Sequence, residues 1–303
     1  MPRQQTPWDV IIIGAGPAGL SAALVLGRCR RRVLLVDANQ PRNGRSRALN
    51  GFLSRDGIKP QELRRLGRQQ LAPYSTVQVK HLEATRARHV PGGFEVTFSD
   101  GQRRQCRKLL LATGVVDDLP DVEGLSELYG RSVFHCPYCD GWESRDKPIA
   151  AYGRGPHAVG FAIELKVWSS DIVVCTDGVR LSAKHLDRAA RHHIPVRQQR
   201  IKRLEGSRGR LRHIVFADKD TLAREALFFS SGQRQASDLA ASLGCTFTRR
   251  GDVKTGKCEA TDVRGLFVAG DASRLVQLAI VAASEGAQAA FAINTQLIKD
   301  DPQ

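Results

Sequence analysis

The stretch VIIIGAGPAGLSAALVL, residues 10–26, predicts how the fold begins. Val10 to Ile13 is a short β-branched run typical of a buried strand, and Leu20 to Leu26 favours a helix. The glycine-rich turn from Gly14 to Gly19 separates them, and Val33 to Val36 is a second apolar run. Strands that are apolar throughout, on either side of a helix, indicate a parallel sheet covered on both faces.

A second unit of the same shape begins near residue 148. Ile149 to Tyr152 predicts a strand, Gly153 to Ala158 a turn, Val159 to Trp168 a helix and Ile172 to Cys175 the next strand. Two such units in a chain of 303 residues predict an α/β protein with two Rossmann-like, doubly wound, three-layer nucleotide-binding domains.

The C-terminal part of the chain returns to glycine-rich turns and apolar runs. Gly265 to Asp271 predicts a strand that runs into a turn, and Gln277 to Ile293 predicts a long alanine-rich helix. We interpret this tail as rejoining the first domain, with the second domain inserted between the two parts.

The first glycine motif fits a dinucleotide fingerprint. Gly14 allows the tight turn, Gly16 lets a pyrophosphate approach the backbone, and Gly19 lets the helix pack on the strand. The helix N-terminus supplies free N–H groups to the phosphates. Asp37 ends the next apolar run, where it can accept hydrogen bonds from ribose hydroxyls. The motif predicts a nucleotide site, and a plain structural turn is the alternative.

The second glycine motif is looser. It keeps Gly153 and Gly155, but Ala158 replaces the third glycine. We expect a nucleotide site here, with a vestigial nucleotide fold as the alternative. Asp177 follows the next strand and favours NADH, because a carboxylate repels a 2′-phosphate. The nearby Arg180 weakens that inference.

The segment from His135 to Gly141 is the predicted chemical centre. Cys136 and Cys139 are the only closely spaced pair among seven cysteines, and two cysteines at this spacing can close and reopen a small disulfide. Asp140 beside them could carry protons. We therefore expect Cys136, Cys139 and Asp140 to be catalytic.

Other readings of the cysteine pair are weaker. A zinc site needs about four ligands. Cys245 and Cys258 have 12 residues between them, and His192 and His193 are adjacent, so no ligand pattern appears and no metal is expected. Glutaredoxins share the four residues but place the pair after their first strand. Inert buried cysteines are the remaining alternative.

The charge pattern disfavours specific nucleic-acid binding. The net charge is +15, from 46 lysines and arginines against 31 aspartates and glutamates, but the basic clusters are scattered without interleaved aromatic residues. A solvated basic surface is the simplest interpretation, and docking of an acidic protein is the alternative. The apolar runs at 8–13 and 275–283 are too short to span a membrane or form a signal-peptide core, so we expect a cytoplasmic protein.

Taken together, these motifs resemble the low-molecular-weight thioredoxin reductases over nearly the whole chain. The matching pieces are residues 14–19, 111–114, 136–141, 153–158, 270–271, 277 and 285–286. The resemblance implies an FAD-binding domain at residues 1–116 and 235–303. It also implies an NAD(P)H-binding domain at 117–234 that carries the cysteine pair, and a homodimer.

The resemblance also implies roles for individual residues. Cys139 would face the flavin, Cys136 would attack the substrate and Asp140 would be the acid/base. The NAD(P)H positions would be Gly153, Gly155, Ala158 and Asp177. The FAD positions would be Gly14, Gly16, Pro17, Ala18, Gly19, Asp37, Asn50, Ala112, Thr113, Gly114, Gly270, Asp271, Gln277 and Leu278.

The chain departs from that family in ways that bear on function. The segment from Cys175 to Arg180 lacks the paired arginines of the family's NADPH site, so NADPH, NADH and the absence of a nicotinamide donor all stay open. Val276 replaces the family's arginine before the glutamine. Residues 117–120, 136–143 and 228–229 look more like a subgroup, the dithiol oxidases of disulfide-containing natural products. That subgroup often has histidine in place of Asp140.

Three functions follow as hypotheses. The first is an NAD(P)H-dependent reductase that acts on thioredoxin, a similar small protein or a small-molecule disulfide. The second runs the electrons in reverse, from a small-molecule dithiol through FAD to oxygen. The third is a non-catalytic flavoprotein that senses redox state.

Overall fold

The computed structural model of the chain describes residues 6–230 and 232–301. The strands, numbered in chain order, are β1 (Trp8–Ile13), β2 (Val33–Val36), β3 (Val77–Lys80), β4 (Ala84–Val90), β5 (Gly93–Phe98), β6 (Arg103–Leu111), β7 (Val115–Asp117), β8 (Val133–Phe134), β9 (Ile149–Tyr152), β10 (Ile172–Cys175), β11 (Val196–Arg197), β12 (Ile201–Ser207), β13 (Arg210–Phe216), β14 (Thr221–Ala223), β15 (Ala226–Phe229), β16 (Gln233–Gln235) and β17 (Leu266–Val268). The α-helices are α1 (Pro17–Arg28), α2 (Pro60–Leu71), α3 (Leu125–Leu128), α4 (Pro137–Asp140), α5 (His157–Leu165), α6 (Ala183–Arg191), α7 (Leu239–Ser242) and α8 (Ala279–Asp300).

The chain divides into two compact units. The first unit comprises Met1–Gly44, Gly51–Val116 and Arg234–Gln303. The second comprises Arg45–Asn50 and Asp117–Gln233. β7 and β16, in the two stretches where the chain passes between the units, pair as a two-stranded sheet.

The first unit is built on one sheet in the order β3-β2-β1-β6-β5-β4, with β17 also pairing with β6. The pairing is parallel from β3 through β2 and β1 to β6, and between β6 and β17. It is antiparallel between β6 and β5 and between β5 and β4, which form a meander with β6. β1 and β2 are apolar on both sides because α1 and α8 cover one face and the meander with α7 covers the other.

The second unit has three layers. A parallel sheet in the order β11-β10-β9-β15-β8 forms the middle. Helices α5 and α6 pack on one face, through side chains such as Val159 and Ala189. The antiparallel sheet β12-β13-β14 packs on the other face, through side chains such as Ile214 and Phe216. Both parallel sheets place their glycine turns at the carboxyl ends of the strands, where nucleotides bind in such folds.

The predicted fold class is confirmed, and the differences lie at the ends of α-helices and of β1, which begins at Trp8 instead of Val10. The strands Val33–Val36, Ile149–Tyr152 and Ile172–Cys175 have the predicted bounds. α1 begins at Pro17 instead of Leu20, because proline is tolerated in the first helical turn. α8 runs from 279 to 300 instead of 277 to 293, because Lys108 binds Asp300 and holds its last turn. In the described part of the chain, no helix has the length and apolar character needed to cross a membrane.

Helix α8 touches α1 backbone to backbone. A Cβ added at Gly286 would lie 2.0 Å from the carbonyl oxygen of Ala18, so no side chain fits there. We expect Gly286→Ala to lower the free energy of unfolding by about 1–3 kcal/mol, the usual cost of overpacking.

Gly160 in α5 is the matched control for this substitution. A Cβ added at Gly160 meets nothing within 4 Å, so Gly160→Ala should gain up to about 1 kcal/mol from helix propensity. Urea unfolding of both variants checks the prediction. Equal effects of the two substitutions would show that the close approach of α8 to α1 does not limit stability.

Candidate functional site

In the first unit, the glycine turn after β1 has the geometry of a phosphate-binding turn. Gly14 has a φ of +105°, and a Cβ there would lie 2.2 Å from the carbonyl oxygen of Ala112. A Cβ at Gly19 would lie 1.8 Å from the carbonyl oxygen of Gly14, so α1 packs directly on the turn. Gly16 is different, since its added Cβ meets nothing within 4 Å. The turn therefore keeps open space in front of the first turn of α1.

Two further backbone segments meet at this edge of the sheet. The N–H of Ala112 donates to the carbonyl oxygen of Ile13 (2.8 Å), which places Ala112, Thr113 and Gly114 beside the turn. Asp37 ends β2 and is buried. Its carboxylate accepts from the N–H of Asn39 (2.9 Å) and from Arg68 (3.1 Å).

The loop before α8 is held in place by hydrogen bonds from Arg42, which lies far away in the sequence. Arg42 Nη1 donates to Asp271 Oδ2 (2.8 Å) and to Gln277 Oε1 (2.7 Å). Gln277 Nε2 in turn donates to the carbonyl oxygen of Asp271 (3.2 Å). Leu278 occupies the N-cap position of α8. The structure thus brings together Asp271, Gln277 and Leu278, as the resemblance implies, and adds Arg42.

A second arginine holds the base of the same loop. Arg274 donates to Glu259 (2.6 Å) and to Glu285 (2.9 Å), and both carboxylates are buried. Glu285 also accepts from the N–H of Gly270 (2.7 Å). Burial raises the pKa of Glu285, and the negative charge of Glu259 adds to that shift. The network fixes the turn that carries Asp271.

These residues fit an FAD. The open space at Gly16 faces the free N–H groups at the start of α1, which favour a diphosphate. Asp37 and Asp271 place carboxylates at two positions, one at the end of β2 and one after β17, and each is paired with an arginine, Arg68 or Arg42. The chemistry of the donor set is therefore that of a dinucleotide cradle.

In the second unit, Cys136 and Cys139 are joined by a disulfide. Their Cα atoms lie 5.3 Å apart at the start of α4, and the N–H of Cys139 donates to Cys136 Sγ. A Cβ at Gly141 would lie 2.7 Å from the ring of Trp168, so only glycine lets α4 sit against that ring. Asn50 Nδ2 donates to the carbonyl oxygen of Cys139 (2.8 Å). The structure therefore joins Asn50 to the cysteine pair.

Asp140 directly follows the second cysteine. Burial raises the pKa of its carboxyl to about 7, with a further contribution from the negative charge of Glu143. A carboxyl group that titrates near neutral pH can give and take a proton there. This raised pKa suits the acid/base role that is expected of Asp140.

A hydrogen-bonded cluster that the sequence did not indicate precedes the cysteine pair. Tyr129 Oη donates to Asp117 Oδ2 (2.9 Å) and lies 3.0 Å from His135 Nδ1. The cluster holds the residue next to Cys136 in one orientation.

The second glycine turn has the spacing of the first but a different backbone conformation. A Cβ at Gly153 would lie 3.1 Å from the Cβ of Ala158, so alanine fits at the third position. Gly155 has a φ of +123°, and its added Cβ meets nothing within 4 Å. Open space is thus kept in front of α5.

The end of β10 differs from what the sequence predicts for a ribose site. Asp177 is 8% exposed, and its two carboxylate oxygens accept from Tyr152 Oη (3.0 Å) and the N–H of Ile201 (2.9 Å). Cys175 and Thr176 are fully buried. Their side chains therefore belong to the core.

Comparison with known proteins identifies the family. A model of the pyridine nucleotide-disulphide oxidoreductases matches residues 8–286. The chain belongs to this family. Its members use a flavin and a pyridine nucleotide, and the chain is a thioredoxin reductase-like FAD disulfide oxidoreductase.

Individual family members match over nearly the full length. Thioredoxin reductase tcpT from Claviceps purpurea is 30% identical, over 96% of this chain and 95% of that protein. Thioredoxin reductase sirT from Leptosphaeria maculans is 30% identical, over 97% of this chain and 95% of that protein. The crystal structure of an oxidoreductase from Agrobacterium tumefaciens is 34% identical, with a TM-score of 0.91, and covers 98% of this chain and 100% of that chain.

The raised pKa of Asp140 predicts a pH-dependent cost in stability. In the unfolded chain an aspartate ionises near pH 4, whereas Asp140 in the fold stays protonated up to about pH 7. Stability therefore falls as pH rises through this window, and the whole cost is present above pH 7. Asp140→Asn removes the cost, so its melting temperature should exceed that of the wild type at pH 8 and equal it at pH 4.

Asp187 in α6 is the control carboxyl in the same unit. It is exposed and pairs only with Arg191 in the next turn, so Asp187→Asn should change stability by less than about 1 kcal/mol at either pH. Thermal melts of the oxidised proteins at the two pH values provide the measurement. A gain for Asp140→Asn that is the same at both would rule out the titration as its cause.

Proposed function

We propose that this enzyme is an NAD(P)H-dependent, FAD-containing disulfide reductase that acts on a protein disulfide such as that of thioredoxin. One observation carries the proposal. The disulfide of Cys136 and Cys139 lies beside a carboxyl group, that of Asp140, whose pKa is near 7. The same chain carries two open glycine turns at the carboxyl ends of parallel strands. The open turns supply two nucleotide sites, and the disulfide supplies the group that exchanges with substrate.

The first unit would bind FAD and the second NAD(P)H. Support for the first assignment comes from the open turn at Gly16 and from the carboxylates of Asp37 and Asp271 after β2 and β17. Support for the second comes from the open turn at Gly155. FAD, when bound, supplies the carrier that takes a hydride from the nicotinamide and passes two electrons to the disulfide.

The reaction balances as NAD(P)H, a proton and a substrate disulfide giving NAD(P)⁺ and two substrate thiols. The Cys136 thiolate attacks one substrate sulfur, and a mixed disulfide forms as the first substrate thiolate leaves. Cys139 then attacks the Cys136 sulfur and releases the second thiolate. Asp140 donates a proton to a leaving thiolate and recovers it from a cysteine thiol.

Exposed aromatic side chains support a protein as the substrate. Tyr138 lies between the two cysteines and is 70% exposed, and Trp142, three residues after Cys139, is 66% exposed. Side chains of this type dominate protein interfaces. We also propose a homodimer in the cytoplasm, supported by the exposed pair Phe291 and Ile298, which lies on one face of α8.

Anaerobic reduction of the bound flavin tests the proposal. NADPH or NADH should bleach the flavin of the wild type. Cys136→Ser should keep this bleaching but lose turnover with thioredoxin, because no thiol attacks the substrate. Cys258→Ser, a change at a free cysteine of the first unit, is the control and should turn over normally. If neither nucleotide bleaches the wild-type flavin, the chain is not an NAD(P)H-dependent reductase.

The proton-transfer role of Asp140 predicts a shift in the pH profile. Glu143 raises the pKa of Asp140, so Glu143→Gln should move the fall in turnover near pH 7 to lower pH. Asp140→Asn should slow turnover by about 100-fold or more below pH 7, and the difference from the wild type should shrink above it. Glu127→Gln, an exposed change in α3, should leave the profile in place. An unshifted profile in Glu143→Gln would mean that another group controls it.

The reverse reaction is the second candidate, favoured by the segment from Cys175 to Arg180, which lacks the family's paired arginines and begins with two buried side chains. A small-molecule dithiol would then reduce the pair and FAD, and oxygen would take the two electrons and become hydrogen peroxide. Peroxide release on adding a dithiol, without flavin bleaching by either nucleotide, would select this function.

A further inference from the structure

Helix α2 lies beside the glycine turn of the first unit and brings two arginines to it. A Cβ added at Gly67 would lie 2.8 Å from a methyl carbon of Leu20, so α2 packs closely on the start of α1. Arg64 and Arg68 are one helical turn apart on α2 and share a face. Arg68 Nη1 donates to Asp37 Oδ2 (3.1 Å), which places this face of α2 at the end of β2.

Arg64 is buried without a full set of hydrogen-bond partners. It is 8% exposed, and its Nη1 donates to the neutral amide oxygen of Asn39 (3.1 Å). Its Nε is covered and has no acceptor among the residues that the structure describes. Burial lowers the pKa of Arg64, and the negative charge of Asp37 offsets part of that shift. A covered donor of a charged group is costly to leave unpaired, so it indicates an acceptor that the chain itself does not supply.

The end of β2 also carries an excess of positive charge. Asp37 is the carboxylate that acts on both Arg64 and Arg68, and its Oδ1 is already bound by the N–H of Asn39 (2.9 Å). Glu62, the acidic residue of α2, pairs instead with the exposed Arg65 (2.6 Å). A bound dinucleotide brings charge of the opposite sign, because its diphosphate is anionic.

We propose that Arg64 is a specificity-determining residue that makes this site select FAD over flavins without an adenosine half, by donating its Nε proton to that half of the cofactor. The inference rests on the proposed binding of FAD in the first unit and adds a residue of α2 to that site. A hydrogen bond from a charged donor is stronger than one between neutral groups. The charge of Arg64 favours the same half, because α2 packs on the start of α1, where the diphosphate is expected.

Competition between FAD and FMN on the FAD-loaded enzyme tests the proposal. FMN lacks the adenosine half, so the ratio of the two flavins bound at equilibrium isolates the contribution of that half. Arg64→Met should lower the wild-type preference for FAD by at least about tenfold. Arg64→Lys keeps the charge without the Nε proton and should recover only part of the preference. Arg65→Met, an exposed change on the same helix, is the matched control and should keep all of it.

Two results would overturn the inference. The wild-type preference in Arg64→Met would mean that Nε is satisfied by water, and that the residue has only a structural role. Full recovery in Arg64→Lys would mean that charge alone is sufficient. Urea unfolding at saturating FAD reports whether each variant is folded. If Arg64→Met does not fold, Arg64→Lys decides: a lowered preference supports the inference, and the wild-type preference overturns it.

These results are independent of the test of the proposed function. Flavin that binds with the same preference in all variants, and is bleached by NADPH or NADH, leaves the reductase intact and removes the role of Arg64. Flavin that shows the expected change in preference, but is bleached by neither nucleotide, keeps the role of Arg64 and removes the reductase.

Discussion

The contact between α1 and the end of β1 is the constraint on which the first unit depends. A side chain at Gly19 would collide with the carbonyl oxygen of Gly14, so the helix starts directly on the strand end. This contact points the free N–H groups of α1 at the space that Gly16 leaves open. α8 then covers α1 through a second contact of the same kind, at Gly286. Gly19 and Gly286 thus determine how α1 packs on β1 and α8 on α1, and Gly16 keeps the nucleotide site open.

In the second unit, the disulfide lies on a packed support, and the carboxyl group of Asp140 beside it is costly to ionise. Gly141 lets the short helix of the disulfide sit against Trp168, and Asn50 holds the carbonyl of Cys139. Burial on this support makes ionisation of Asp140 costly, so its pKa rises to about 7. The stability lost by this arrangement is what gives the carboxyl a useful pKa for proton transfer.

The sequence predicted the strands more closely than the helices. A buried parallel strand is a short apolar run that ends where a glycine or an acid follows, so Val33–Val36 and Ile172–Cys175 have the predicted bounds. Helix ends depend on contacts that lie far away in the sequence. The last turn of α8 is an example, since Lys108 from β6 binds Asp300.

Asp177 shows the limit of a motif. Its place after β10 predicts a ribose contact, but the donors that cover it come from Tyr152 and Ile201, 25 and 24 residues away. Local spacing could not indicate that the carboxylate would accept hydrogen bonds from within the protein.

The sequence by itself determined the local chemistry of this protein. Each of these features consists of a few consecutive residues: the cysteine pair with Asp140, and the two glycine turns. Their spacing in the sequence is therefore enough to predict their chemistry. Only the tertiary structure decided which distant charges join them. Arg42 donates to Gln277 across 235 residues, because strand order and sheet packing, and not sequence distance, bring such side chains together.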